Sequence, residues 1–124
     1  MFLILTKSFL KKELKPLKKY YTVKDIKKTT KKISSSAIRL PHLGYREGEL
    51  IKLRLVSKVA GRIIIYVYKQ KELIIPIVLR LKKDKIIGEN LSLNNTKAKL
   101  LILDMLDKIM DDVKNGDYKK EFLD

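Results

Sequence analysis

The sequence is poor in the residues that build redox and metal centres. Among its 124 residues there is no cysteine and one histidine, His42. Without cysteine the chain forms no disulfide and no thiolate metal site, and it lacks a Cys/His cluster of the kind that binds zinc. We therefore expect that the protein uses no metal and no cofactor. The absence of cysteine also fits a protein of a reducing compartment. His42 stands between Pro41 and Leu43 in a predicted loop, where a lone histidine is usually a surface residue.

Long apolar runs are also missing. The apolar run near the N-terminus is Phe2–Leu5, and the charged Lys7 follows. This run is too short for a signal peptide or a membrane span. We expect a soluble cytoplasmic protein with no membrane partner, folded as a single domain over residues 1–124.

Acidic residues are scarce relative to basic ones. The chain has 29 Lys and Arg against 14 Asp and Glu, a net charge of +15. Residues 1–100 hold 25 basic and 7 acidic residues, a net +18, and residues 101–124 hold 4 and 7, a net −3. A basic body predicts a polyanionic partner. The alternative is a lysine-rich surface that only keeps the protein soluble, although +15 exceeds the net charge of roughly 2–8 that suits a small domain.

Hydrophobic periodicity predicts a strand and two helices in the first third of the chain. Phe2–Leu5 is predicted as a strand, and Thr22 with Asp25 resembles a capping box at the start of the second helix. Pro16 is expected to kink or split the first helix. The two helices are predicted to form a hairpin on a sheet. The first of them carries apolar residues at helical spacing, namely Leu10, Leu14, Leu17 and Tyr21.

From there the apolar period changes to two, which predicts an antiparallel meander of three or four strands. Two strands are predicted over residues 50–56 and 62–68. A third is predicted over "LIIPIVLRLKK", at the centre of the sheet because it is apolar on both faces, and a short fourth over "AIRL". Pro76 predicts a bulge or a missing neighbour in the third strand, because proline donates no ladder hydrogen bond.

The last part of the chain predicts one long helix. Asn94, Asn95 and Thr96 form a cap cluster, and Gly116 is the predicted stop. The resulting order is βαα-βββ-α, an α+β fold with an antiparallel sheet of three to four strands, a helical hairpin on one side and a C-terminal helix. The apolar stripe of the last helix comprises Ala98, Leu101, Ile102, Met105, Leu106, Ile109, Met110 and Val113.

Cations recur on the predicted meander. Lys52 and Arg54 share one face of their strand, and Arg62 begins the next strand. In a meander these strand ends converge on one patch. The alternative is a solvated face whose cations discourage pairing between sheet edges. The patch would be completed by Lys58 before Arg62 and by Arg80, Lys82, Lys83 and Lys85 at the end of the third strand.

A cationic patch allows RNA cleavage without a metal. The reaction removes a proton from a 2′-OH, stabilises the extra charge on the phosphorane and protonates the departing 5′ oxygen. Lys and Arg stabilise that charge directly, and a lysine with a lowered pKa acts as acid or base.

The chain resembles the RelE/HigB-type toxins of toxin–antitoxin modules, in the RelE/ParE superfamily. The resemblance runs from "TKSFLKKELKPLKK" to the start of the last helix. It depends most on "GYREGELIKLRL" (44–55), "SKVAGRIIIYVYK" (57–69) and "IPIVLRLKKDKIIGENLS" (75–92). It implies a RelE-like βαα-βββ-α fold and an mRNA interferase, a metal-independent endoribonuclease that cuts mRNA on the ribosome. It also implies a cognate antitoxin, whose acidic segment we expect over the basic patch.

The resemblance also implies roles for individual residues. Arg62 matches the arginine that holds the scissile phosphate in the family. The catalytic set is then Lys52, Arg54, Arg62, Lys82 and Lys83, and the further RNA-binding residues are Lys58, Arg80 and Lys85. Two alternatives stay open: a ParE-like gyrase poison, whose branch shares the fold without the nuclease residues, and a non-catalytic nucleic-acid-binding protein.

Overall fold

The computed structural model describes residues 1–31, 38–40, 48–55, 57, 59–83 and 96–123, apart from the side chains of residues 38–40 and 69. The strands are β1 Phe2–Thr6, β2 Ile38–Leu40, β3 Glu49–Leu55, β4 Gly61–Tyr68, β5 Leu73–Leu81 and β6 Tyr118–Phe122. The helices are α1 Lys7–Phe9, α2 Val23–Lys31 and α3 Thr96–Asn115. The α1 helix continues as a π-helical turn, Leu10–Leu14, and a 3-10 turn, Lys15–Leu17. Residues 7–17 are called the first helical segment below.

The strands form one mixed sheet in the order β2-β3-β4-β5-β1-β6. The meander β2 to β5 is antiparallel, as the alternation predicts. The expectation of a purely antiparallel sheet of at most four strands is wrong, because β1 and β6 extend the sheet to six strands. Strand β1 pairs with β5 in parallel, and β6, which was not predicted, pairs with β1 in antiparallel fashion. Local alternation does not encode which strand a terminal segment joins, and that choice sets both the strand count and the direction.

Capping and proline shape the helical region after β1. The Phe9 N–H donates to Thr6 Oγ1 at 3.2 Å, which caps α1. Pro16 lies in the 3-10 turn, so the helix narrows and ends there. At the start of α2, the Thr22 N–H donates to Asp25 Oδ2 at 2.9 Å and the Asp25 N–H donates to Thr22 Oγ1 at 3.3 Å. This reciprocal pair is the predicted capping box.

The two helical units pack on different neighbours. The first helical segment lies against α3 and β5, whereas α2 lies against β3. Each unit therefore makes its main tertiary contacts with other elements, rather than with its partner in the predicted hairpin. The C-terminal part of the predicted second helix, beyond Lys31, lies outside the described residues.

The proline in β5 produces the predicted irregularity. Ile64 pairs with Val78, but the next residue of β4, Ile65, pairs with Pro76, so Ile77 is an extra residue in β5. A bulge at this position removes the need for a ladder hydrogen bond from the proline nitrogen.

The long helix α3 also follows its pattern. The Gly116 φ angle of 75° lies in the left-handed region, where glycine ends helices at little cost. None of the described helices is long and apolar enough to cross a membrane. Asn94 and Asn95 of the predicted cap fall outside the described residues. The residues of the apolar stripe that are buried are Ala98, Ile102, Met105, Leu106 and Ile109.

Candidate nucleic-acid interface

The sheet register places three arginines side by side. Arg54 of β3 pairs with Arg62 of β4, and Arg62 pairs with Arg80 of β5. Directly opposed residues of antiparallel strands project from the same face, with Cβ atoms about 5 Å apart. The three side chains therefore form one row across the meander, spanning about 10 Å from β3 to β5. This set, Arg54, Arg62 and Arg80, is called the arginine row.

The other face of the sheet at this end is core. Gly61 precedes Arg62 and so faces the opposite way, towards the buried ring of Tyr21. A Cβ atom at Gly61 would overlap the Tyr21 hydroxyl. That hydroxyl donates to the Val59 carbonyl at 3.0 Å, which ties the chain before β4 to the helices. Burial raises the pKa of Tyr21, and the nearby positive charge of Arg62 opposes that shift.

On this face of the sheet, solvent reaches the strand ends that carry the arginine row but not the residues further along the strands. Arg54 is exposed, and Arg62 and Arg80 are half-buried. One step further along the same face, Ile64 and Val78 are fully buried. The exposed charged surface is thus confined to the strand ends, next to an apolar interior.

Arg80 is held by a buried carboxylate. Its Nη1 donates to Glu13 Oε1 at 2.7 Å, and Glu13 is only 2 % exposed. The same oxygen accepts the backbone N–H of Leu79 at 2.8 Å. Glu13 therefore supplies a partner both for a backbone group of β5 and for the guanidinium beside it. Arg80 Nη1 also donates to the Leu79 carbonyl at 3.2 Å.

Arg62 has a different setting. Its Nη1 donates to the carbonyl of Gly61 at 3.0 Å. Among the described residues neither Arg62 nor Arg54 forms an ion pair with a carboxylate. Their guanidinium groups keep donors for an anion, and the planar fork of Arg suits a phosphate.

Lys52 belongs to the same face as the row. It lies two residues before Arg54 on β3 and pairs with the buried Ile64 of β4. Burial is the main cause that lowers the pKa of Lys52, and the positive charge of Arg62 lowers it further. A lysine whose pKa is lowered has a larger neutral fraction near physiological pH, which is the form that accepts a proton.

The lysines after β5 reach the same end of the molecule. The Lys82 N–H donates to the carbonyl of Ala60, the residue before β4. Lys82 and Lys83 are exposed. The predicted convergence of strand ends therefore holds for the described part of the set. Lys58, Lys85 and His42 lie outside the described residues, so their predicted positions are not part of this geometry.

Sequence reasoning missed the two supporting residues. Glu13 sits at helical spacing from Leu10 and Leu17, on the apolar side of the first helical segment. A carboxylate on the apolar side of a lysine-rich helix signals a buried cationic partner, although not which one. For Tyr21 the signal was its place in the apolar repeat, which indicates burial but not the hydrogen bond to Val59.

This arrangement can bind the backbone of a nucleic acid and stabilise negative charge on it. Its functional groups are cations on adjacent strands and one lysine, Lys52, whose pKa is lowered by burial and by Arg62. Comparison of the chain with protein-family models, with curated proteins and with solved structures gives no match. The geometry of the site is therefore the basis for assigning a function.

Proposed function

We propose that the protein binds single-stranded RNA through the arginine row and cleaves it without a metal, as an mRNA interferase toxin with a RelE-like fold. The observation that carries the proposal is the register that aligns Arg54, Arg62 and Arg80 across three strands. The net charge of +15 supports it, since a polyanion is the partner that such a surface attracts.

The cleavage step uses the 2′-OH of the RNA as nucleophile. The neutral amine of Lys52 takes the 2′-OH proton, and the 2′ oxygen forms a bond to phosphorus. Arg62, assisted by Arg54, stabilises the added negative charge on the phosphoryl oxygens. The bond from phosphorus to the 5′ oxygen then breaks, and Lys82 or Lys83 donates a proton to that oxygen. The products are a 2′,3′-cyclic phosphate and a 5′-hydroxyl.

Arg80 is assigned a positioning role in this scheme. Its guanidinium is bound to Glu13, so it serves less as a free phosphate ligand than Arg62 does. It adds positive charge next to Arg62 and fixes the first helical segment to β5. This refines the expectation that Arg80 simply binds RNA.

The biological setting is proposed from the resemblance to the RelE/HigB-type toxins, and the basic charge of the chain agrees with it. The substrate would be mRNA on the ribosome in the cytoplasm, and a cognate antitoxin would neutralise the toxin by laying an acidic segment over the arginine row. A complex that is inactive while leaving Arg54 and Arg62 open would contradict this part of the proposal.

The test uses purified protein and a pair of RNA oligonucleotides, each assayed free in solution and bound to ribosomes. One is all-RNA, and the other carries a single 2′-deoxy nucleotide at the position that is cut in the first. We expect cleavage of the first with a 5′-hydroxyl product, and binding without cleavage of the second. Arg62→Ala should lower the cleavage rate by about 10²–10³, the usual effect of removing one charge-stabilising donor. Lys114→Ala, which removes an exposed cation at the end of α3, is the control and should cleave normally.

Other outcomes distinguish the alternatives. RNA binding that weakens with salt, without cleavage of either free or ribosome-bound RNA, would establish a non-catalytic nucleic-acid-binding protein. Absence of RNA binding together with DNA damage through gyrase in cells would establish a ParE-like poison. Equal cleavage by Arg62→Ala and the unaltered chain would remove the arginine row from the mechanism.

A further inference from the structure

A second cationic surface lies on the other side of the first helical segment. It is an open groove of about 540 Å³ between this segment and the start of β6. We call it the lysine groove. Its lining consists of Leu5, Lys7, Leu10, Lys11, Lys15, Asp117, Tyr118 and Lys119.

The charges of the groove are arranged along a line. Lys7, Lys11 and Lys15 follow at intervals of four residues, which is close to one helical turn, so they succeed one another along one wall of the groove. Lys119 lies on the opposite wall, and Asp117 is the one acid in the lining. The lining therefore carries a net charge of +3. A succession of cations along a groove suits the phosphates of an extended single strand.

The groove also offers an aromatic surface. Tyr118 is 39 % exposed although it is a large side chain at the start of a strand. Its neighbours in the lining, Leu5 and Leu10, are apolar. An exposed ring beside a cationic track is the combination on which unpaired bases stack, and stacking contributes about 1–3 kcal/mol per base. An amphipathic acidic helix would need a broad apolar seat, which two leucines do not provide.

The groove and the arginine row are joined through one element. Glu13 contacts Arg80 on the β5 side of the first helical segment. Lys11 and Lys15, two residues before and after Glu13, line the groove. Because two residues turn a helix by roughly half a revolution, the two cationic surfaces flank the same helix, at a separation of about one helix diameter, 10–12 Å. A single strand several nucleotides long reaches across that distance.

We propose that the lysine groove binds the same single-stranded RNA outside the segment held at the arginine row, with phosphates on Lys7, Lys11 and Lys15 and a base on Tyr118. This inference rests on the proposed RNA-binding function and extends it to a second contact region. It makes the groove a determinant of affinity for long strands, without a part in the chemical step.

The test measures binding of two single-stranded RNAs, about 4 and about 12 nucleotides long, which both lie within the range of site sizes of single-strand binding folds. The 2′-deoxy design above prevents cleavage. The groove variant is Lys11→Ala/Lys15→Ala. Its matched control is Lys24→Ala/Lys28→Ala, which removes two exposed lysines at the same spacing from α2. A third variant, Tyr118→Leu, removes the ring and keeps the charge.

We expect the groove variant to lose about tenfold or more in affinity for the long strand and to bind the short strand as the control does. Loss of two phosphate contacts should reduce the slope of log affinity against log salt by about 1.4, at roughly 0.7 per contact for a single strand. Tyr118→Leu should lower the affinity for the long strand at least about fivefold with no change in slope. Arg62→Ala should lower the affinity for both the short and the long strand.

Three results would overturn the inference. If the groove variant and its control bind the long strand equally while Arg62→Ala loses binding, the groove has no RNA role and the proposed function stands. If the groove variant loses affinity for the short and the long strand by the same factor, the groove is not a separate contact region for long RNA. If the unaltered chain binds neither strand, both the inference and the proposed function fail.

Discussion

The arginine row and the lysine groove carry charge of the same sign on the two sides of one helical segment, but the protein supports them differently. The row stands on paired strands whose reverse face is core, and one of its members is held by the buried Glu13. The lysines of the groove are exposed, and within the described part of the chain none of them forms an ion pair. Substitutions of the residues that hold the arginine row in place, such as Glu13, should therefore destabilise the fold. Substitutions of the groove lysines should change only the affinity for RNA.

The largest difference should come from Glu13→Ala. This change leaves Arg80 without its carboxylate and the buried Leu79 N–H without an acceptor. Removing one partner of a buried ion pair costs about 3–5 kcal/mol. Lys11→Ala, on the groove side of the same segment, should change the free energy of unfolding by less than about 0.5 kcal/mol. Urea unfolding of both variants measures the difference, and equal stabilities would show that Glu13 does not support the row.

A second contrast lies within strand β3. Leu53 is buried at 7 % exposure, and its neighbour Arg54 is exposed on the other face. Leu53→Ala should cost about 2–5 kcal/mol in unfolding free energy, as other truncations of buried leucines do. Arg54→Ala should cost less than about 0.5 kcal/mol while lowering RNA cleavage. If Arg54→Ala unfolds early and cleaves normally per folded molecule, the row serves the fold and not the RNA.

The glycines beside the two surfaces offer a third contrast. A Cβ at Gly61, under the row, would overlap the Tyr21 hydroxyl and lie 3.1 Å from the Arg80 carbonyl. Gly61→Ala should therefore cost roughly 1–3 kcal/mol, as overpacking does. Gly116, just before the groove residue Asp117, has open space around it, and only its positive φ opposes a side chain. Gly116→Ala should cost about 1–2 kcal/mol. Thermal unfolding should show broadened or altered tertiary signals for the first variant only.

The smallest effect on stability is expected for Lys52→Met, and it is a gain where the substitutions above are losses. Because the pKa of Lys52 is lowered from 10.5, the folded chain binds this proton less tightly than the unfolded chain does. The stability of the unaltered protein therefore rises with pH between the lowered pKa and 10.5, and at neutral pH the charged lysine costs stability. Lys52→Met should be more stable at pH 7 by no more than about 0.5 kcal/mol. That advantage should shrink as the pH approaches 10.5.

The matched variant for Lys52 is Lys52→Arg, which keeps the charge and does not deprotonate in this range. It should show no stability gain and should still lose cleavage, because arginine is a poor proton acceptor. A gain for Lys52→Met that is the same at all pH values would mean that packing, and not the charge, limits stability at this position. Normal cleavage by Lys52→Arg would remove Lys52 as the base.

Several features were predictable from short stretches of sequence. The capping box of Thr22 and Asp25, the bulge at Pro76 and the helix end at Gly116 each depend on residues within a few positions of one another. The placement of Lys52 and Arg54 on one face of β3 follows from strand alternation in the same way. Hydrophobic period, proline and glycine act through local backbone geometry, so their effects do not depend on how the rest of the chain packs.

The candidate site was predictable only as a set of residues. The sequence by itself determined that this chain is α+β and strongly basic, and that its cations lie near the ends of three alternating strands. Only the tertiary structure decided that Arg54, Arg62 and Arg80 align, that β1 enters the sheet beside β5, and that Glu13 meets Arg80 across 67 positions of chain. Such contacts depend on register and strand order. These are set by the combined burial of the whole sheet, because shifting one strand by one residue would exchange its core and solvent faces.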